Sequence, residues 1–187
     1  MKNLIMTLLV IVAAHLPLSA NAGIITVSVD QTEVAVGDSV EVSLLATGFD
    51  FFDVFDLDVL FDSSVFSYDS ASFSSDLPSF PFGVSALETP TELAISFVDF
   101  LPYAGGDFML AQFNLTALTA GVTDFSLNIS EFSLSDPFDI FAPAQQLSVS
   151  VDGQSSVTVT SVPEPTTVFL MLVAIAVISL SRKVRSF

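Results

Sequence analysis

Between Gly23 and Ser161 apolar and polar residues alternate with a period of two, and this restricts the fold more than any other feature of the chain. Successive side chains of a strand point to opposite faces, so alternation marks strands with one face buried, whereas a helix repeats every 3.6 residues. Ile25, Val27 and Val29 alternate with Thr26 and Ser28; Val40, Val42 and Leu44 with Glu41 and Ser43; Phe55, Leu57, Val59 and Phe61 pass Asp56 and Asp58. The pattern returns at Leu93–Phe97, Ala111–Ala117, Phe125–Ile129, Leu147–Val151 and Val157–Val159. Turn residues lie between these runs: Gly37-Asp38, Asp62-Ser63-Ser64, Gly105-Gly106-Asp107, Ala120-Gly121 and Asp152-Gly153. Eight or more short strands without a helical segment predict an all-β antiparallel β-sandwich of the jelly-roll kind. Ser70 to Pro90 lacks clean alternation and is expected to be a long surface loop. No tandem repeat is present.

The charge distribution excludes one class of partner. Twenty of the 21 acidic residues fall before Pro163, and no lysine or arginine occurs between Asn3 and Ser181. Affinity for phosphate comes from basic side chains, so nucleic acid is not a partner. Half of the chain is apolar, which is enough to offset the entropy of ordering despite the acidity. There is no cysteine, so packing alone must stabilise the domain.

Both ends carry segments of another kind. Lys2, the apolar run Leu4–Ala14 and the A-x-A site Ala20-Asn21-Ala22 form the pattern of a signal peptide over residues 1–22, with a signal helix cleaved after Ala22. The alternative, a retained anchor, has a run shorter than the ~20 residues a span needs. From Val168 to Leu180 only Ser179 is polar, and Arg182, Lys183 and Arg185 follow. This reads as a short transmembrane helix passing through the inner membrane, with its basic stop held on the cytoplasmic side while the acidic domain is exported. Taken alone, Pro163-Glu164-Pro165 is a stiff spacer.

The combination of "VPEP", a short apolar helix and a basic end within residues 162–187 resembles the PEP-CTERM sorting signal of exopolysaccharide-producing bacteria. That resemblance implies recognition of Pro163, Glu164 and Pro165 by an exosortase of a Gram-negative bacterium and delivery to the cell surface or extracellular matrix. An ordinary single-pass anchor is the alternative. A second resemblance covers residues 23–161. "VAVGDSVEVSLLATG", "FDVFDLDVLFDSSVFSY" and "GGDFMLAQFNLTALTAGVTDFSLNISEFSLSD" are similar to cohesin-like domains, with Gly37, Asp38 and Gly121 at turns and Asp62 at a corner where Ser63 replaces the usual proline. It implies a cohesin-like sandwich related to carbohydrate-binding modules. No residues map onto a dockerin-binding face.

The residue types also limit the chemistry. After signal removal the exported domain has no His, Lys, Arg or Cys to serve as a base beside a nucleophile, and GxSxG, P-loop and HExxH motifs are missing. A carboxylate pair is the one catalytic option left, and among so many acidic groups it carries little signal. The chain is expected not to be an enzyme. Asp53, Asp56, Asp58 and Asp62, with Asp50 nearby, are candidate calcium ligands; the alternative is a solvated acidic face. Phe80, Phe82, Phe100, Tyr103, Phe138 and Phe141 fall outside clean strands and are candidates for an apolar contact patch, or else for a plug over a core edge. The expected function is adhesion or scaffolding, with exopolysaccharide or surface proteins as partners. The alternative is a carbohydrate-binding module assisted by calcium. A line of exposed aromatic rings on one sheet would favour the latter, and an acidic face beside a Phe patch would favour protein contacts.

Overall fold

The computed structural model describes residues 22–79, 82–136 and 142–162, together with Met171 and Ile175, which are helical. Strands β1 (Gly23–Val29), β3 (Ser39–Phe49), β5 (Phe66–Ser74), β8 (Gly106–Ala117) and β11 (Val149–Asp152) form one sheet in the order β11-β1-β3-β8-β5. The second sheet contains β2 (Glu33–Ala35), β4 (Phe52–Leu60), β6 (Gly83–Glu88), β7 (Glu92–Tyr103), β9 (Gly121–Leu134) and β12 (Ser155–Thr160) in the order β2-β12-β9-β4-β7-β6. A two-residue strand, β10 (Gln145–Gln146), pairs with the far end of β9.

The alternating apolar residues of both sheets face one continuous core. Val40, Val42 and Leu44 of β3 and Phe113 and Leu115 of β8 meet Phe55, Leu57 and Val59 of β4, with Leu93, Ile95 and Phe97 of β7. At one end the core is aromatic: the Phe52 ring lies 5.7 Å from Phe97, 5.8 Å from Phe132 and 5.7 Å from Phe108, joining the two sheets. Edge-on and offset rings of this kind add about 0.5–1.5 kcal/mol per pair to their area burial. Packing of this extent supplies what a chain without disulfides requires.

Most pairings are antiparallel, as expected, but β11 runs parallel to β1 and β12 parallel to β2. Both arise because the last strands fill edge positions beside the first ones, with Asp152–Gln154 carrying the chain from one sheet to the other. A larger difference concerns Ser70–Pro90. Residues 70–74 continue β5 and 83–88 form β6, both at sheet edges. An edge strand buries little of either face, so its sequence need not alternate, and the serine-rich stretch reads as a loop. No helix among the described residues is long and apolar enough to cross a membrane. The expected signal helix and transmembrane helix lie outside the described residues apart from Ala22, Met171 and Ile175, as do Ala20, Pro163, Glu164, Pro165, Arg182, Lys183 and Arg185.

Candidate functional site

The largest exposed apolar side chains of the second sheet gather where β6 and β7 meet. The β4–β7 register runs regularly to Val54↔Val98 and then jumps to Phe52↔Tyr103, so Asp99–Pro102 bulges opposite Asp53. The Asp99 carboxylate holds the bulge, accepting the N–H groups of Phe100 at 2.6 Å and Leu101 at 3.3 Å. Phe100 and Leu101 in this turn both stand outward, 78% and 77% exposed, beside Val98. Phe82, which directly precedes β6, packs edge-on against Phe100 with ring centroids 4.7 Å apart. On β6, Leu87 extends the apolar edge at 69% exposure. Fully burying such a side chain gains roughly 1.5–3 kcal/mol before the costs of association are subtracted.

The other aromatic candidates are placed differently. Tyr103 turns inward, its ring 5.5 Å from Phe52 and 5.1 Å from Phe108, so it lies half-buried at the core's rim and not in the patch. Burial, then the charge of Asp76, pushes its hydroxyl pKa up. Phe80, Phe138 and Phe141 lie outside the described residues. Sequence reasoning missed Val98, Leu87 and Leu101: Leu87 lies in the stretch that reads as a loop, and Val98 and Leu101 follow the last clean alternation at Phe97; the Asp99–Pro102 turn residues were the available signal.

The four calcium candidates do not converge. Asp53 is 5% exposed, and both its oxygens accept the Ser135 N–H at 3.1 Å, which ties the bulged end of β4 to the end of β9. Asp62 caps its corner, accepting the Ser64 hydroxyl at 2.6 Å and the Ser64 N–H at 2.8 Å. These bonds, the hydroxyl's first, hold its pKa below the ordinary carboxylate value. Asp58 accepts from Asn128 at 3.2 Å, and only Asp56 stands exposed on the outer face of β4. Among the described residues no three acidic groups are placed to hold a metal ion.

That outer face is nonetheless acidic. Asp56 stands directly opposite Glu131 of β9, and the described residues include no lysine or arginine. Like charges in this position destabilise a sheet, while a cationic partner would relieve them. Glu131 is held in place by Ser133 at 2.8 Å and Gln146 at 3.3 Å.

The architecture matches solved structures closely in extent. The seventh ScaB type I cohesin from Pseudobacteroides cellulosolvens matches with a TM-score of 0.59 at 12% identity, covering 77% of this chain and 96% of that one. The chain has the cohesin fold. A non-cellulosomal cohesin from the archaeon Archaeoglobus fulgidus matches at 0.55 and 12% identity, over 75% and 92% of the two chains. The OlpC cohesin of Clostridium thermocellum, solved in complex with a dockerin, matches at 0.56 and 14% identity, over 79% and 100%. No protein-family model and no curated protein matches the sequence. Within this cohesin fold, the residues that carry the sequence resemblance occupy turns: Gly37 has φ of 95°, Asp62 caps the corner after β4, and Gly121 opens β9.

Proposed function

We propose that the chain is a non-catalytic exported module that acts by adhesion or scaffolding at the cell surface or in the extracellular matrix, using protein contacts. The observation that carries this reading is the exposed Phe82–Phe100 pair with Leu101 at the β6–β7 edge of a cohesin fold, next to an acidic sheet face. A sugar platform would need a row of outward rings. Here Tyr68 instead leans on Phe113 and Tyr103 on Phe108, while the outward positions of the first sheet are polar around Ser28, Ser43 and Gln112, with Ile24 and Leu45 as the larger apolar groups. The dockerin-bound cohesin among the structural neighbours supports protein recognition as the use of this fold.

Delivery rests on the sequence of the tail. An exosortase would recognise Pro163-Glu164-Pro165 after the apolar segment and the basic residues halt transfer through the membrane. Intact mass of the exported protein should show loss of the tail at or near Pro163, and recovery of Phe187 in mature material would overturn this step. The binding reading is tested by retention of the full chain on the producer's surface-protein fraction and, separately, on its purified exopolysaccharide, with calcium and with chelator. Retention by protein, lost in a Phe100→Ser, Leu101→Ser double variant, is expected. Retention by polysaccharide alone would transfer the assignment to a carbohydrate-binding module, and a requirement for calcium would restore the metal.

A further inference from the structure

The edges of the two sheets are not equally protected. Unpaired strand edges attract other strands, and proteins blunt them by shortness, bulges, proline or lysine. Here β2 has three residues, β10 two and β11 four. β5 is broken between Asp69 and Ser74, where Ser72 and Asp69 bond to nearby backbone. β6 is different. Its sequence GVSALE contains neither proline nor lysine, and it pairs with β7 without a break from Gly83↔Val98 to Glu88↔Leu93. Among the described residues no strand pairs with its other side.

The open side has a defined polarity. Val84 donates its N–H to the Pro78 carbonyl at 3.0 Å, away from β7. Gly83 permits this close approach: a Cβ there would sit 2.1 Å from the same carbonyl oxygen. Because pairing alternates along an antiparallel ladder, Ala86 and Glu88 direct their N–H and C=O groups to the same open side as Val84. Pro78 fills that side at Gly83 and Val84, so a strand laid there would pair with Ala86 and Glu88 and set its outward side chains beside Ser85 and exposed Leu87.

Charge selects the occupant. Glu88 ends β6 and Asp69 lies on neighbouring β5; after burial, these two carboxylates are what push the Tyr68 hydroxyl pKa up. Asp99 adds a third carboxylate in the bulge. A second copy would bring the same acidity and no lysine or arginine between Asn3 and Ser181, so it is repelled. We propose that β6 accepts an added β-strand from a protein partner: an extended segment with alternating apolar side chains and at least one lysine or arginine facing Glu88. This rests on the protein-contact reading above and specifies its mode, main-chain pairing along an edge.

Amide hydrogen exchange on the full chain in mild detergent tests it, with a short peptide of alternating valine and lysine as the probe. Exchange at Ala86 and Glu88 should slow by about tenfold or more. The effect should vanish in Ala86→Pro, which removes an outward N–H and leaves the bonds to β7. Should that variant unfold, N-methylating alternate peptide residues should abolish the slowing in the unaltered protein. Unchanged exchange, slowing that survives N-methylation, or equal slowing by a valine–glutamate peptide would overturn the proposal. Concentration-dependent protection without peptide would assign the edge to a second copy and overturn it too. Retention on surface proteins that is lost in the Phe100/Leu101 variant but kept in a folded Ala86→Pro variant would sink strand addition and leave the protein-contact reading standing.

Discussion

The phenylalanines of this domain fall into two populations that share chemistry and differ in position. Phe52, Phe55, Phe97 and Phe132 are fully enclosed between the sheets, each ring 5.0–6.1 Å from others of the set. Phe82 and Phe100 pack just as closely, edge-on, yet outside, one before an edge strand and the other on a bulge. The inner set follows from alternation, which sends every second residue inward. Continuing the alternation from buried Phe97 already sends Phe100 outward towards Phe82, and the bulge, where four residues of β7 face one of β4, leaves Leu101 exposed beside it. The same residue type is therefore buried in the core at the middle of β7 and stands exposed near its end.

The largest expected effect separates these populations. Phe52→Ala should cost about 3–5 kcal/mol in chemical or thermal unfolding, whereas Phe100→Ala should leave stability within about 0.5 kcal/mol. Equal losses would mean that Phe100 serves the core as a plug. Gly105→Ala should follow, at roughly 1–3 kcal/mol or more, because φ is 70° and the new Cβ would fall 2.4 Å from the Phe49 and Asp50 carbonyl oxygens at the aromatic end. Asp53→Ala removes the buried carboxylate that accepts the N–H of exposed Ser135 and should cost about 0.5–1.5 kcal/mol, sharpening the comparison by loosening the strand opposite the bulge.

The smallest effect concerns pH. Because folding lowers the Asp62 pKa, its contribution is present above the ordinary carboxylate pKa and is lost as pH falls through the lowered value. Asp62→Asn should therefore flatten the acid limb of a stability-against-pH curve slightly, with the aromatic end unaffected. An unchanged curve would remove the corner cap from the account.

The central strands were legible in the sequence because they are buried on one face: Ile25 and Val27, Val40 to Leu44, Phe55 to Val59, Leu93 to Phe97 and Val157 with Val159 all point inward as expected. The edges were not legible, since neither face of Ser70–Ser74 or Gly83–Glu88 is enclosed enough to force a pattern. On β9 a register shift opposite Asp56 and Leu57 resets the phase, so Phe132 and Ser133 are both buried beyond Ile129. Of the candidate site, Phe82 and Phe100 were visible as aromatics outside clean strands, while the inward turn of Tyr103 depends on where the bulge ends. The aspartates of β4 and its corner were visible as a cluster, but their spacing could not show that Asp53 serves the backbone at Ser135 or that Asp62 caps its own turn at Ser64.

The central claim is that the β6–β7 edge is the working surface. Site-specific photo-crosslinking in the producing cell tests it most directly, with p-benzoylphenylalanine placed at Phe100 in one strain and at Ser43, on the outer face of the first sheet, in another. The account predicts defined protein adducts from Phe100 and none of comparable yield from Ser43. Adducts from Ser43 with none from Phe100 would contradict it.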